Sequence, residues 1–191
     1  MSISASQLAV ARALAQVTQV ERPQVGRYLD TADEHAIDVL TVRDRPSEGL
    51  SSSSTIGLHM TRNLMDGVDI RVELMLTTRS SVEWTPNLLS TAAFYVMKDG
   101  WLAAPGVVFP ELLREYDSSV SVPHLMWVAP FTWPELGSMQ IDGTGDVHWL
   151  VGLPISDGER DFLGREGFDA LDLMLEKHDA PYFDVHRASV V

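Results

Sequence analysis

Apolar residues recur at helical spacing in three parts of this chain and alternate with polar ones in several others. From Ser2 to Gln19, Leu8, Val10, Ala11, Leu14 and Val17 stand three and four residues apart, which predicts an amphipathic helix; Pro23 follows soon after. Thr85-Pro86 opens a second predicted helix, with Thr85 as N-cap and Pro86 at the first helical position. Leu88, Leu89, Ala92 and Val96 form its buried stripe, and Gly100 sits where a C-terminal cap belongs. Ser156-Asp157-Gly158-Glu159 reads as a capping box that starts a third, short helix. Gly164 and Gly167 are expected to break it. Helix resumes from Phe168 to His178, with Phe168, Leu171, Met174 and Leu175 aligned.

Strands are predicted between these helices. His35 to Val42 is rich in β-branched residues, and Asp69 to Leu76 alternates, with Ile70, Val72, Leu74 and Leu76 on one face. Asp69, Arg71 and Glu73 point the other way, so that face is expected to be wet. Ser51 to Ser54 reads as a loop or an exposed strand edge. Shorter strands are expected around Val107 to Phe109 and His124 to Ala129. Val147 to Ile155 is apolar on both faces and predicts a central strand, and Gly143-Thr144-Gly145-Asp146 before it reads as a hairpin turn. The helices are too few to carry a crossover between every pair of strands. The expected fold class is therefore α+β: a mixed, mainly antiparallel sheet flanked by helices. At 191 residues, with no internal repeat and no linker, residues 1–191 are expected to form one domain, the N-terminal helix occupying residues 1–20.

Charge narrows the function. The formal net charge is −13, and the split is uneven: 12 acids against 9 bases up to Gly100, then 15 against 5. Such a surface repels nucleic-acid phosphates and anionic lipid, and attracts a basic protein. No segment has the basic start and apolar block of a signal peptide, or the length of a membrane span. Cysteine is absent, which removes disulfides, thiolate chemistry and Cys-ligated zinc, and makes the cytoplasm the expected location.

Candidate chemistry is sparse. There is no HExxH, no GxSxG and no SxxK, so no metal, cofactor or catalytic set is expected. The alternative is a hydrolase or metal enzyme using His178, Asp184 and His186, the one phrase that sets two histidines near carboxylates. His124 and His148 each open a predicted strand, where a hydrogen-bonded structural role is expected. Trp127 is expected in the core. Phe131 and Trp133 flank Thr132 between Pro130 and Pro134 at a strand exit, and exposed rings on a rigid turn are typical anchors for a protein partner.

Several phrases in fixed order resemble the suppressor of fused family. They are Thr55-Ile56-Gly57-Leu58, Val72-Glu73-Leu74, and Ala92 with Phe94-Tyr95. Trp101 with Pro105-Gly106-Val107-Val108-Phe109-Pro110 comes next, then His124-Leu125-Met126 with Pro130-Phe131 and Trp133, and Trp149-Leu150 with Pro154-Ile155-Ser156. Asp184, with Arg187 three later, closes the match, which runs from about Ile37 to Arg187. The resemblance implies a mixed α/β domain that binds other proteins and is not an enzyme. The animal member grips a peptide of the Gli transcription factors between this domain and a second one. No second domain is expected in this chain, so that two-domain clamp is not carried over. Bacterial relatives are proposed to be immunity proteins, and an acidic second half would suit a basic toxin. The resemblance also nominates Asp184 and Arg187 as partner contacts, or as a pair that pins the closing segment.

Overall fold

The protein was studied as a computed structural model that describes residues 3–21 and 23–191. Helix α1 spans Ala5–Thr18. Ser4 and Gln7 form a capping box at its start, and Val10, Leu14 and Thr18 face inward. Ser2, the expected first residue of this helix, lies outside the described residues, and Leu8, expected in its buried stripe, is exposed.

Strands β1 (Gln24–Leu29), β2 (Ala36–Arg43) and β3 (Leu50–Ile56) follow. A small hairpin, β4 (Leu64–Met65) and β5 (Val68–Asp69), stands apart from the main sheet. Then come β6 (Arg71–Arg79), α2 (Thr85–Asp99), β7 (Val108–Phe109) and β8 (His124–Val128). The chain closes with β9 (Ser138–Ile141), β10 (Gly145–Ile155), α3 (Asp157–Glu166) and α4 (Phe168–Lys177). The main sheet runs β1-β2-β3-β6-β10-β8-β7, with β9 also on β10. Every pair is antiparallel except β6 with β10, which is parallel. This is the mixed, mainly antiparallel sheet that the sequence implies.

Both faces of the sheet are covered. On one, Leu88, Leu89, Ala92, Ala93 and Val96 of α2 pack on Val39, Leu74, Leu76, Trp127 and Leu150. On the other, α1 and α4 bring Val10, Leu14, Leu171 and Leu175 against Leu40, Met75, Trp149, Val151 and Leu153. Strand β10 is central, as predicted, and buried from Trp149 to Ile155; His148 alone faces out within Val147–Ile155. The fit there is tight: a Cβ on Gly152 would lie 2.8 Å from the Leu125 side chain. Gly143 and Gly145 adopt positive φ in the β9–β10 turn, where the hairpin was expected.

Four local expectations are corrected. Ser51–Ser54 is neither loop nor exposed edge but part of β3, buried between β2 and β6. Burial is tolerated because the hydroxyls pair: Ser53 with Thr41 (2.9 Å), Ser52 with Thr77 (2.7 Å) and Ser51 with Ser80 (2.8 Å). The expected wet face of Asp69–Leu76 is closed at Glu73, which is fully buried because its carboxylate finds partners inside. Trp84, not Thr85, is the N-cap of α2; the Thr85 hydroxyl donates to the Val82 carbonyl instead (2.9 Å). Helix α3 runs through Gly164, so Gly167, at φ +86°, is what breaks it.

Candidate partner-binding face

The four residues nominated from sequence fall into two groups. Phe131 is 45% exposed. Its ring lies 5.5 Å from that of Tyr182 and stacks on Phe183 at 6.5 Å. Next in chain, Asp184 pairs with Arg79 at 3.1 Å, and the Arg79 amide donates to the Phe183 carbonyl (3.1 Å). The structure therefore brings Phe131 and Asp184, 53 residues apart in sequence, to one region.

Trp133 and Arg187 are buried, which corrects their nomination as surface contacts. Trp133 is only 7% exposed, packs with Leu136 and Val42, and donates its indole N–H to Ser52 Oγ at 3.3 Å. Trp133 is the N-cap of a short 3-10 turn, Pro134–Leu136, whose Leu136 is buried with it. The Arg187 side chain does not pair with that of Asp184; only the Arg187 amide reaches the Asp184 carbonyl (3.2 Å). Its guanidinium grips Glu159 through two bonds of 2.6 and 2.7 Å and donates to the Pro154 carbonyl at 2.9 Å. Glu159 also accepts the amides of Ser156 and Val190, which ties the chain end to the start of α3. Burial acts to raise the Glu159 pKa, but the bonds from Arg187, Ser156 and Val190 outweigh it and hold the carboxyl below its ordinary range.

A second buried carboxylate anchors the phrase Thr55–Leu58. Glu73 accepts from Thr55 Oγ1 (2.5 Å), the Gly57 amide (2.8 Å) and His59 Nδ1 (2.5 Å). Gly57 sits at φ +106°, a conformation that favours glycine and turns three successive amides toward that oxygen pair.

The histidine alternatives resolve on geometry. Asp184 is engaged by Arg79, and His186 Nε2 lies 3.7 Å from Asp117. His178, Asp184 and His186 therefore do not form a ligand set. Among the described residues, three ligand atoms converge within 4.8 Å only at Glu111, His124 and Asp157. Both His124 nitrogens are engaged there: Nδ1 accepts the Glu111 amide (2.9 Å) and Nε2 meets Asp157 (3.0 Å). The bond from His124 holds the Asp157 carboxyl below its ordinary range. Arg114 pairs with both acids, 3.5 Å from Asp157, so a cation already fills the corner. His124 is thus the hydrogen-bonded structural residue that its place in the sequence suggests, while His148 is exposed.

Beside Phe131 opens a cleft of about 420 Å³, lined by Val128, Ala129, Leu153, Phe168, Tyr182 and two acids of α4, Asp172 and Glu176. Sequence patterning did not point to it: Phe168, expected to align with Leu171, Met174 and Leu175, is 38% exposed and lines this cleft. The available signal was the spacing of Phe168, Asp172 and Glu176, four residues apart along one face of α4. No helix among the described residues is long and apolar enough to cross a membrane.

Comparisons with known proteins place this geometry. Immunity protein YqcF of Bacillus subtilis (strain 168) is 36% identical over 172 residues, 89% of this chain and 90% of that one. A solved SUFU homolog from Neisseria gonorrhoeae superposes with a TM-score of 0.79 at 18% identity, covering 97% of both chains. A chain of the Sufu–Fu complex gives 0.72 at 15% identity, covering 97% of this chain and 92% of that one. Drosophila Suppressor of Fused gives 0.71 at 16% identity; the match covers 97% of this chain but 51% of that one. Residues 33–188 match the sequence profile of the suppressor of fused protein (SUFU), and the chain belongs to that family.

Proposed function

We propose that this protein is a non-enzymatic binding module of the suppressor of fused type that acts as an immunity protein, holding a basic toxin in an inactive complex. The observation that carries the reading is the 36% identity to an immunity protein across nine-tenths of both chains. The net charge of −10 beyond Gly100, from 15 acids and 5 bases, supports a basic partner, since opposite charge speeds encounter and deters wrong partners. Of the residues nominated from sequence, Phe131 keeps the role of contact, and Asp184 lies beside it. Trp133 and Arg187 serve the fold under that face.

The test is co-expression with the toxin candidate encoded beside this gene in its native genome, scored by growth and by isolation of a stoichiometric complex. Protection together with a complex whose association slows as salt rises is the expected result. No protection and no complex with any neighbouring gene product would overturn the reading.

A further inference from the structure

The cleft beside Phe131 combines an apolar floor with an acidic wall that no cation neutralises among the described residues. Its floor is Val128, Ala129 and Leu153, at the ends of the two strands β8 and β10. Phe131 and Tyr182 form one wall, their rings fixed against each other. The facing wall is the stripe Phe168, Asp172 and Glu176 of α4. Leu171 and Leu175, on the adjoining side of that helix, are buried in the core, so the stripe is held against the sheet.

Asp172 and Glu176 stand at i and i+4 on α4, a like-charge arrangement that weakens a helix. Among the described residues neither forms an ion pair, although most of the buried and half-buried acids do. Burial, and then the charges of Asp172 and Glu176, push the Tyr182 phenol up, so their field reaches into the cleft. An uncompensated pair beside solvent-facing aromatic rings is complementary to a cation borne by an apolar segment.

We propose that this cleft receives a basic segment of a protein partner, seating one apolar side chain between Phe131, Phe168 and Tyr182 while a neighbouring Lys or Arg pairs with Asp172 and Glu176. The volume, about 420 Å³, lies within the ~300–1,000 Å³ of ordinary ligand clefts. The inference rests on the protein-binding reading above and names where on the molecule it happens.

Two surface variants test it, Phe131→Ser/Phe168→Ser and Asp172→Lys/Glu176→Lys, each checked for an unchanged thermal transition. The probe is a blocked peptide of alternating lysine and phenylalanine, with a glutamate–phenylalanine peptide as control, followed by NMR on the full chain. The lysine peptide should shift the amides of residues 128–131 and 168–182, and each variant should weaken it about tenfold. The control peptide should leave these amides unmoved. Equal binding of both peptides, or unchanged affinity in the charge-reversed variant, would overturn the proposal. Co-expression separates the two levels. Charge-reversed protein that protects against the toxin as well as wild type sinks the cleft but spares the immunity reading. Failure of wild type itself to protect sinks the immunity reading.

Discussion

The molecule treats two sets of carboxylates in opposite ways. Glu73 and Glu159 are wholly buried, and each gathers several donors: Thr55, the Gly57 amide and His59 around the first, Arg187, Ser156 and Val190 around the second. Asp172 and Glu176 stand in solvent beside exposed rings, without a cation among the described residues. Glu73 lies in the Val72-Glu73-Leu74 phrase of the family likeness, and Glu159, outside those phrases, bonds residues of two of them, Ser156 and Arg187. The likeness thus falls mainly on residues that hold the fold, while the acids proposed to select the partner's charge, Asp172 and Glu176, lie outside it and share only Phe131's cleft with it.

That division can be broken most forcefully at the chain-end latch. Glu159→Ala leaves the Arg187 charge buried without its partner and should cost about 3–5 kcal/mol in urea unfolding. Replacing both, Glu159→Leu with Arg187→Met, should recover much of the loss, because burial of the ion pair itself contributes little net stability. A single variant within ~1 kcal/mol of wild type would mean that the latch does not organise the closing segment. The latch also sets an acid limit. Glu159 is held below the ordinary glutamate value of about 4.3, so its contribution is complete above that value and lost as pH falls through the lower folded pKa. Unfolding curves on acidification should show this loss in wild type and a shallower one in the double variant.

Smaller effects sharpen the same contrast. Gly152→Ala forces a Cβ against Leu125 and should destabilise by about 1–3 kcal/mol. Ser156→Ala removes the acceptor for the Glu159 amide at the start of α3 and should cost about 1 kcal/mol. Phe131→Ser/Phe168→Ser should change stability least, by roughly 1 kcal/mol or less, and change partner affinity most. A large loss of stability there would place these rings with the fold and not with the binding face.

Periodicity and capping made the architecture legible: the strand Val147–Ile155, the box at Ser156, the helix ending at Gly100 and the hairpin at Gly143 all stand where the pattern puts them. What escaped was polar burial. Four serines in a row look wet, and only the cross-strand partners Thr41, Thr77 and Ser80, far off in sequence, make them core. Strand β1 escaped because it is an edge strand, mostly exposed, whose apolar residues Val25, Tyr28 and Leu29 do not alternate cleanly. Of the rings and charges expected to face outward, Phe131 is exposed, whereas Trp133 and Arg187 are buried. Whether a ring or a guanidinium leaves a turn inward depends on the 3-10 turn at Pro134 and on Glu159, neither of which local patterning reveals.

Hydrogen exchange, measured on the free protein and on its complex with the proposed toxin partner, tests the division most directly. Slow exchange throughout β10, β8 and the Ser156–Val190 latch should be the same in both states. New protection on binding should fall on residues 128–131 and 168–183. Protection that instead appeared along β1 or around Thr55–Leu58, with the Phe131 cleft unchanged, would contradict the account.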